Sequence, residues 1–303
     1  MKILLYPPLS IHELGHRDNQ EDSIAQWDNR LFALCDGMGG HEKGEVASQT
    51  VCQAIGEWYQ NRAIHPLGKP QVEDALAYAY AQLDKKDDGA LKKMGTTLTL
   101  LYIGIEGAVA AHMGDSRIYH IRPAEGLLYQ SRDHSLAFDL YQAGEISYEE
   151  MLNYGQKNVI TRAMTPGEDN RMRPDIIHIT DIQSDDYFYM CSDGMLERMS
   201  NDELVALLSS DASDEEKRQQ LISATANNQD NHSAWLIHIE DVVNEEGDEQ
   251  LVNEEPNARC NAVNIIPQSV SEPDDDVVIV KEAPKKQSLF QRIKKLIPFT
   301  KNK

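Results

Sequence analysis

Leu31-Phe32-Ala33-Leu34-Cys35-Asp36-Gly37-Met38 and Tyr187-Phe188-Tyr189-Met190-Cys191-Ser192-Asp193-Gly194-Met195 each carry an apolar, strand-like run into Asp-Gly. They echo one another across most of a 303-residue chain. A buried strand ending in a carboxylate, with a glycine that lets the backbone approach an ion, suits a hard divalent cation held by side-chain and carbonyl oxygens. Taken singly, each Asp-Gly reads first as a turn dipeptide. The segments around them change that reading.

Upstream of the first lies Gly15-His16-Arg17-Asp18-Asn19-Gln20-Glu21-Asp22-Ser23, and directly after it Gly39-Gly40-His41-Glu42-Lys43-Gly44. Further on come Met94-Gly95-Thr96-Thr97, Met113-Gly114-Asp115-Ser116-Arg117, and Asp230-Asn231-His232-Ser233 leading into the apolar Ala234-Trp235-Leu236-Ile237. In this order the segments resemble the metal-dependent serine/threonine protein phosphatases of the protein phosphatase 2C family, especially its small bacterial members. Ser131-Arg132-Asp133-His134-Ser135, Leu140 to Ile146 and Asn158 to Met164 resemble the segment that carries the family's flap. The likeness covers roughly residues 10 to 240.

Periodicity places elements between these anchors. Val46, Ala47, Val51, Ala54, Ile55 and Trp58 fall at helical spacing, and residues 71–86 repeat the pattern. Strand-like runs follow at 97–103, 108–111, 117–121, 127–130, 176–182 and 187–190, then helices at 201–210, capped by Ser200, and 214–227, and a last strand at 234–239. Helical pairs and runs of strands without regular alternation indicate an α+β fold with antiparallel sheets. The resemblance implies the layering: a central β-sandwich flanked by helices on both faces, with the metal site at one end.

Composition bounds the rest. With 41% hydrophobic residues the chain can build a sizeable core, and a net charge of −21 argues against nonspecific nucleic-acid binding. Cys35, Cys52, Cys191 and Cys260 show no metal-ligand spacing, so reduced thiols and a cytoplasmic setting are expected. Ile3-Leu4-Leu5-Tyr6 before Pro7-Pro8 is too short for a signal-peptide core, and no apolar run would span a bilayer.

Three regions are expected: a phosphatase domain over 1–240, an acidic disordered linker over 241–282, and a basic amphipathic tail over 283–303. The linker crowds Asp and Glu against only Arg259 and Lys281, with too few apolar residues to offset ordering its backbone. Beyond it Lys285, Lys286, Arg292, Lys294, Lys295, Lys301 and Lys303 meet no acid, and Leu289, Phe290, Ile293, Leu296 and Ile297 share one helical face. Such a helix can lie on an anionic membrane surface, dock in a protein groove, or fold back on the acidic linker.

Hydrolysis of a phosphate monoester is among the slowest uncatalysed reactions in water, and two divalent cations about 3.5–4 Å apart both activate water and neutralise phosphoryl oxygens. Oxygen-only ligands select Mn²⁺ or Mg²⁺. The resemblance implies that Asp36 bridges two metals, the carbonyl of Gly37 binds one, and Asp193 with Asp230 holds the other. By the same resemblance Glu21 and Asp22 would act mostly through coordinated waters, Asp115 with Asp193 would support a third, weaker ion, and Arg17 would bind the substrate phosphate with its planar fork. Where better-known relatives place a histidine after Asp-Gly, this chain has Met38, which cannot donate a proton; His41 reads as a loop or helix-start residue. The implied substrates are phosphorylated proteins, with a serine/threonine kinase as the opposing enzyme. A rival reading is a phosphoprotein-binding or scaffold module that works through its tail.

Overall fold

Strands buried on both faces need apolar residues at every position, and the two Asp-Gly strands meet that demand in equivalent places of two sheets. The computed structural model describes residues 2–39, 42–61, 67–89, 93–156, 159–167 and 171–243. In the first sheet β1 (Lys2–Leu5) and β2 (Leu9–Glu13) pair in turn with β12 (His232–Val243), followed by β11 (Tyr187–Cys191), β8 (Arg117–Arg122) and β9 (Gly126–Gln130). In the second the order is β10 (Asp175–Ile179), β7 (Gly107–Met113), β6 (Leu98–Gly104), β4 (Leu31–Met38) and β3 (Asp22–Trp27), with the short β5 (Gly95–Thr96) paired to the end of β4. All pairings are antiparallel.

The period of two divides the side chains between layers. From β4, Phe32 and Leu34 enter the core between the sheets, where they meet Phe188 and Met190 of β11 and Trp235 and Ile237 of β12. Leu31, Ala33 and Cys35 face outward under α1 (Glu42–Gln60) and α2 (Lys69–Asp84), while Tyr187, Tyr189 and Cys191 face α5 (Asn201–Leu208) and α6 (Asp214–Thr225). Three cores thus separate four layers, as the resemblance implied. Ser200 and Ser213 cap α5 and α6 with reciprocal bonds to Glu203 and Glu216.

Several elements differ from the sequence reading. The strand expected over 176–182 stops at Ile179, because Ile182 closes a tight turn onto Thr180 and plugs the inter-sheet core. Val46 stands exposed although its spacing matched the apolar face of α1. The last strand is longer than 234–239, since β11, β2 and β1 all pair along it; Lys2, Ile3 and Leu4 match Val243, Val242 and Asp241. The first residues assigned to the acidic linker therefore belong to the sheet, and residues 244–303, including the basic tail, lie outside the described residues. β1, β2, β3, α3 (Leu136–Gln142) and α4 (Tyr148–Leu152) were not anticipated. Among the described residues no helix is long and apolar enough to cross a membrane.

Candidate active site

Antiparallel order brings the start of β3, the ends of β4 and β7, the start of β8, the end of β11 and the start of β12 to one end of the sandwich. Every aspartate of interest lies there. Asp22 opens β3 directly opposite Asp36 on β4. Asp115 sits in the turn between β7 and β8, Asp193 opens the 3-10 turn Asp193–Leu196 after β11, and Asp230 lies two residues before β12. Asp36 and Asp193 lie close enough that each shifts the ionisation of the other.

The local backbone explains why these carboxylates hold their places. Asp36 donates its N–H to Thr97 Oγ1 at 2.9 Å and accepts at its carbonyl from Thr97 N–H at 2.8 Å. Gly37 donates its N–H to the Glu21 carbonyl at 3.0 Å, and a Cβ there would overlap the Gly44 carbonyl oxygen at the start of α1. Only glycine permits that approach. A Cβ on Gly194 would likewise overlap the carbonyl oxygen of Asn231. Ser192 Oγ donates to Asp22 Oδ2 at 2.8 Å and receives the Ser233 N–H at 2.9 Å, which ties β11, β12 and β3 together beneath the site.

Burial and mutual repulsion raise the acids. Burial, then the charges of Asp22, Asp193, Asp115 and Asp230, push the Asp36 carboxyl well above the usual range. Burial is also the leading cause for Asp22, raised to about 7, Asp115, raised to about 8, and Asp193, raised to about 6. Asp22 Oδ1 and Asp115 Oδ1 are buried without a hydrogen-bond partner. Such a set is costly by itself, because unpaired buried acceptors and like charges both oppose folding. Divalent cations with a preference for oxygen satisfy both deficits, so the donor set fits Mn²⁺ or Mg²⁺.

Two expected residues stand differently. Arg17 reaches the site at its exposed rim, but its Nη2 pairs with Asp230 Oδ2 at 2.6 Å, so the expected phosphate binder and an expected metal ligand contact each other. Glu21 is placed chiefly by its backbone: its N–H donates to Asn231 Oδ1 at 2.8 Å, and its carboxyl lies against Gly44. His41 lies outside the described residues.

The sequence reading missed two supports. Asn231 donates to the carbonyls of Leu14 and Asn19 while accepting from Glu21, clamping the Arg17 loop onto β12. Its place beside Asp230, ahead of an apolar run, was the available signal. The second is Asp175 at the start of β10, which accepts from Arg132 Nε at 2.8 Å, Arg162 Nη1 at 2.9 Å and His134 Nε2 at 3.1 Å. His134 Nδ1 receives the Gly114 N–H, its own N–H donates to the Gly114 carbonyl, and its carbonyl receives Thr161 N–H. Asp175 thereby fastens the 131–135 and 160–164 segments to the turn that carries Asp115. His112, His134 and Asp175 have ligand atoms within 4.8 Å of one another. The guanidinium groups of Arg132 and Arg162 already supply the positive charge there, so this triad is a clamp.

Comparisons with known proteins agree with this geometry. The profile of a family described as Protein phosphatase 2C matches residues 14–238. Protein phosphatase PhpP of Streptococcus pneumoniae is 32% identical over 235 residues, covering 74% of this chain and 93% of that protein. The Mycobacterium tuberculosis serine/threonine phosphatase PstP/Ppp superposes with a TM-score of 0.69 at 28% identity, over 78% of this chain and 100% of that one. The catalytic domain of serine threonine protein phosphatase PstP in complex with 2 manganese ions gives 0.67 at 26% identity, over 78% and 99%.

Proposed function

The chain belongs to the protein phosphatase 2C family, and on that premise we propose that it removes phosphate from phosphoserine and phosphothreonine of proteins at a dinuclear Mn²⁺ or Mg²⁺ site. The observation that carries the reading is the set of buried, mutually repelling aspartates with orphaned oxygens on Asp22 and Asp115. A module that only bound phosphoproteins would have no use for that cost, which disfavours the scaffold reading.

Asp36, the Gly37 carbonyl, Asp193 and Asp230 would hold the two ions, Glu21 and Asp22 would support them through waters, and Asp115 with Asp193 would hold a third, weaker ion. When bound, the cations supply an activated water nucleophile and positive charge for the phosphoryl oxygens. Arg17 offers its fork to the phosphate, exchanging its present bond to Asp230 for two phosphoryl oxygens. The Ser192 hydroxyl holds Asp22 Oδ2, and Asn231 fixes the loop between Leu14 and Glu21, so both maintain the site without touching substrate. Met38 cannot protonate the leaving alkoxide, a task left to solvent or to the substrate's own contacts.

In this reading the catalytic domain extends to Val243, the end of β12, followed by the acidic linker to residue 282 and, over 283–303, a basic tail that serves location or regulation at a membrane surface or partner. The enzyme works in the cytoplasm against a serine/threonine kinase. The test is turnover of a phosphothreonine peptide with Mn²⁺, with Mg²⁺ and with chelator. Activity must vanish with chelator and return with either ion; Zn²⁺ as the sole effective ion would overturn the assignment.

A further inference from the structure

A groove of about 450 Å³ runs beside the site between α1 and β3, with His12 of β2 on its far wall. It starts at Gln20 and Asp22, whose carboxylate belongs to the aspartate cluster, and extends past Trp27 to Gln60. β3 is the edge strand of its sheet. Because Gly37 N–H donates to the Glu21 carbonyl, alternation along an antiparallel ladder turns Ser23, Ala25 and Trp27 toward β4. The backbone groups of Ile24 and Gln26 then point away from β4 along the free edge, Ile24 lining the groove, and they find no partner among the described residues. Asp22 N–H is taken by Gln20 Oε1 at 3.0 Å, so the open stretch begins two residues later, at Ile24.

The lining has one sign of charge. Asp22, Glu45 and Glu57 are its acids, it contains no Lys or Arg, and Ala25, Trp27 and Gly56 supply apolar surface. At about 3.3 Å per residue, the six residues of β3 offer roughly 20 Å of edge. An edge of this kind recognises an extended peptide by main-chain bonds and reads its side chains through the groove walls.

We propose that the β3 edge and the α1 groove dock an extended segment of the phosphoprotein substrate that carries Lys or Arg on the N-terminal side of the phosphorylated residue. The polarity follows from the strand: β3 runs away from the site, so an antiparallel partner runs toward it and delivers its C-terminal end to Asp22. Bonds to Ile24 and Gln26 set the register, and Glu45 and Glu57 meet the basic side chains. The proposal rests on the phosphatase reading and names its substrate class.

The test uses the full chain with Mn²⁺ and two phosphothreonine peptides of equal composition, with lysine and arginine placed either before or after the phosphothreonine. The N-terminally basic peptide should show a kcat/KM about fivefold higher, expressed in KM, as expected for two partly exposed ion pairs. In Glu45→Gln combined with Glu57→Gln the ratio between the peptides should fall to near one. A non-hydrolysable phosphonate version of the favoured peptide should slow hydrogen exchange at the Ile24 and Gln26 amides. Equal or reversed preference, a ratio retained in the double variant, or unchanged exchange would overturn the docking proposal while leaving the phosphatase reading intact. Stronger protection of the same amides by a synthetic peptide of residues 283–303 would make the chain's own tail the occupant and overturn it too. If neither peptide is hydrolysed with metal present, the functional reading falls and the docking proposal falls with it.

Discussion

Asp175→Asn tests whether a residue outside the aspartate cluster sets its geometry. Burial alone would raise the Asp175 carboxyl, but the bond from His134 and the charges of His134 and Arg132 hold it well below the usual range. The asparagine keeps the shape yet replaces an acceptor oxygen with an N–H donor in a surround made of donors: Arg132, Arg162 and His134. Breaking a buried pair costs about 3–5 kcal/mol, and because Arg132 and Arg162 are 33% and 38% exposed we expect about 2–3 kcal/mol here. For a domain of this size that corresponds to a fall in Tm of roughly 5–10 °C. A depressed pKa stabilises the fold above the unfolded value near 3.9 and loses that contribution as pH falls through the folded value. The difference between the two proteins is therefore flat from about pH 5 to 8 and closes only in acid.

The second readout separates positioning from mere stability. His134 is bonded twice to Gly114, next to Asp115, so a loosened clamp should raise the Mn²⁺ concentration for half-maximal turnover, by about tenfold if it acts as outer-shell partners of metal ligands do. The assay is phosphopeptide turnover against Mn²⁺ at 20 °C, well below either Tm, beside thermal unfolding at three pH values. A lowered Tm with an unchanged Mn²⁺ requirement would refute the link between Asp175 and the Asp115 turn. An unchanged Tm would refute the energetic argument itself.

Asp36→Asn and Asp193→Asn should each lower turnover at least about a hundredfold while raising the Tm of the metal-free protein, because each removes a half-buried acid that its neighbours repel; the check is turnover beside scanning calorimetry in chelator, and a lowered metal-free Tm would contradict it. Arg17→Lys should raise KM for a phosphoprotein and leave Tm within about 2 °C, since its pair with Asp230 is largely exposed; an unaltered KM would assign Arg17 to a structural ion pair. A chain ending at Val243 should keep full turnover on a short phosphopeptide, whereas one ending at Glu240 should melt lower, because it loses the pairing of Lys2, Ile3 and Leu4 with Val243, Val242 and Asp241. Equal melting of the two would show that β1 needs no partner there.

What the sequence disclosed followed from how strongly each position is constrained. β4 and β11 are buried on both faces, so their apolar runs have one reading, and the aspartates beside them stand out against it. β3 escaped because it lies at an edge with partly exposed side chains at Ser23, Ile24, Ala25 and Trp27, which blurs alternation. α3 and α4, with 7 and 5 residues, are too short for a helical period to emerge and are held by their Ser135 and Ser147 caps.

The site divides along the same line. The proposed ligand aspartates are legible because chemistry dictates both residue and context, an acid after an apolar strand with glycine beside it. Asp175 opens an ordinary strand, so nothing local distinguishes it, and Asn231 is one amide among many, marked only by its place beside Asp230. Their roles exist only through partners far along the chain: Asp175 with Arg132, 43 residues away, and Asn231 with Glu21, 210 residues away. A single sequence shows which groups can do the chemistry; which groups hold them still is a property of the closed sandwich. This is why Asp175, rather than an aspartate of the cluster itself, is the more demanding test of how this fold makes its site.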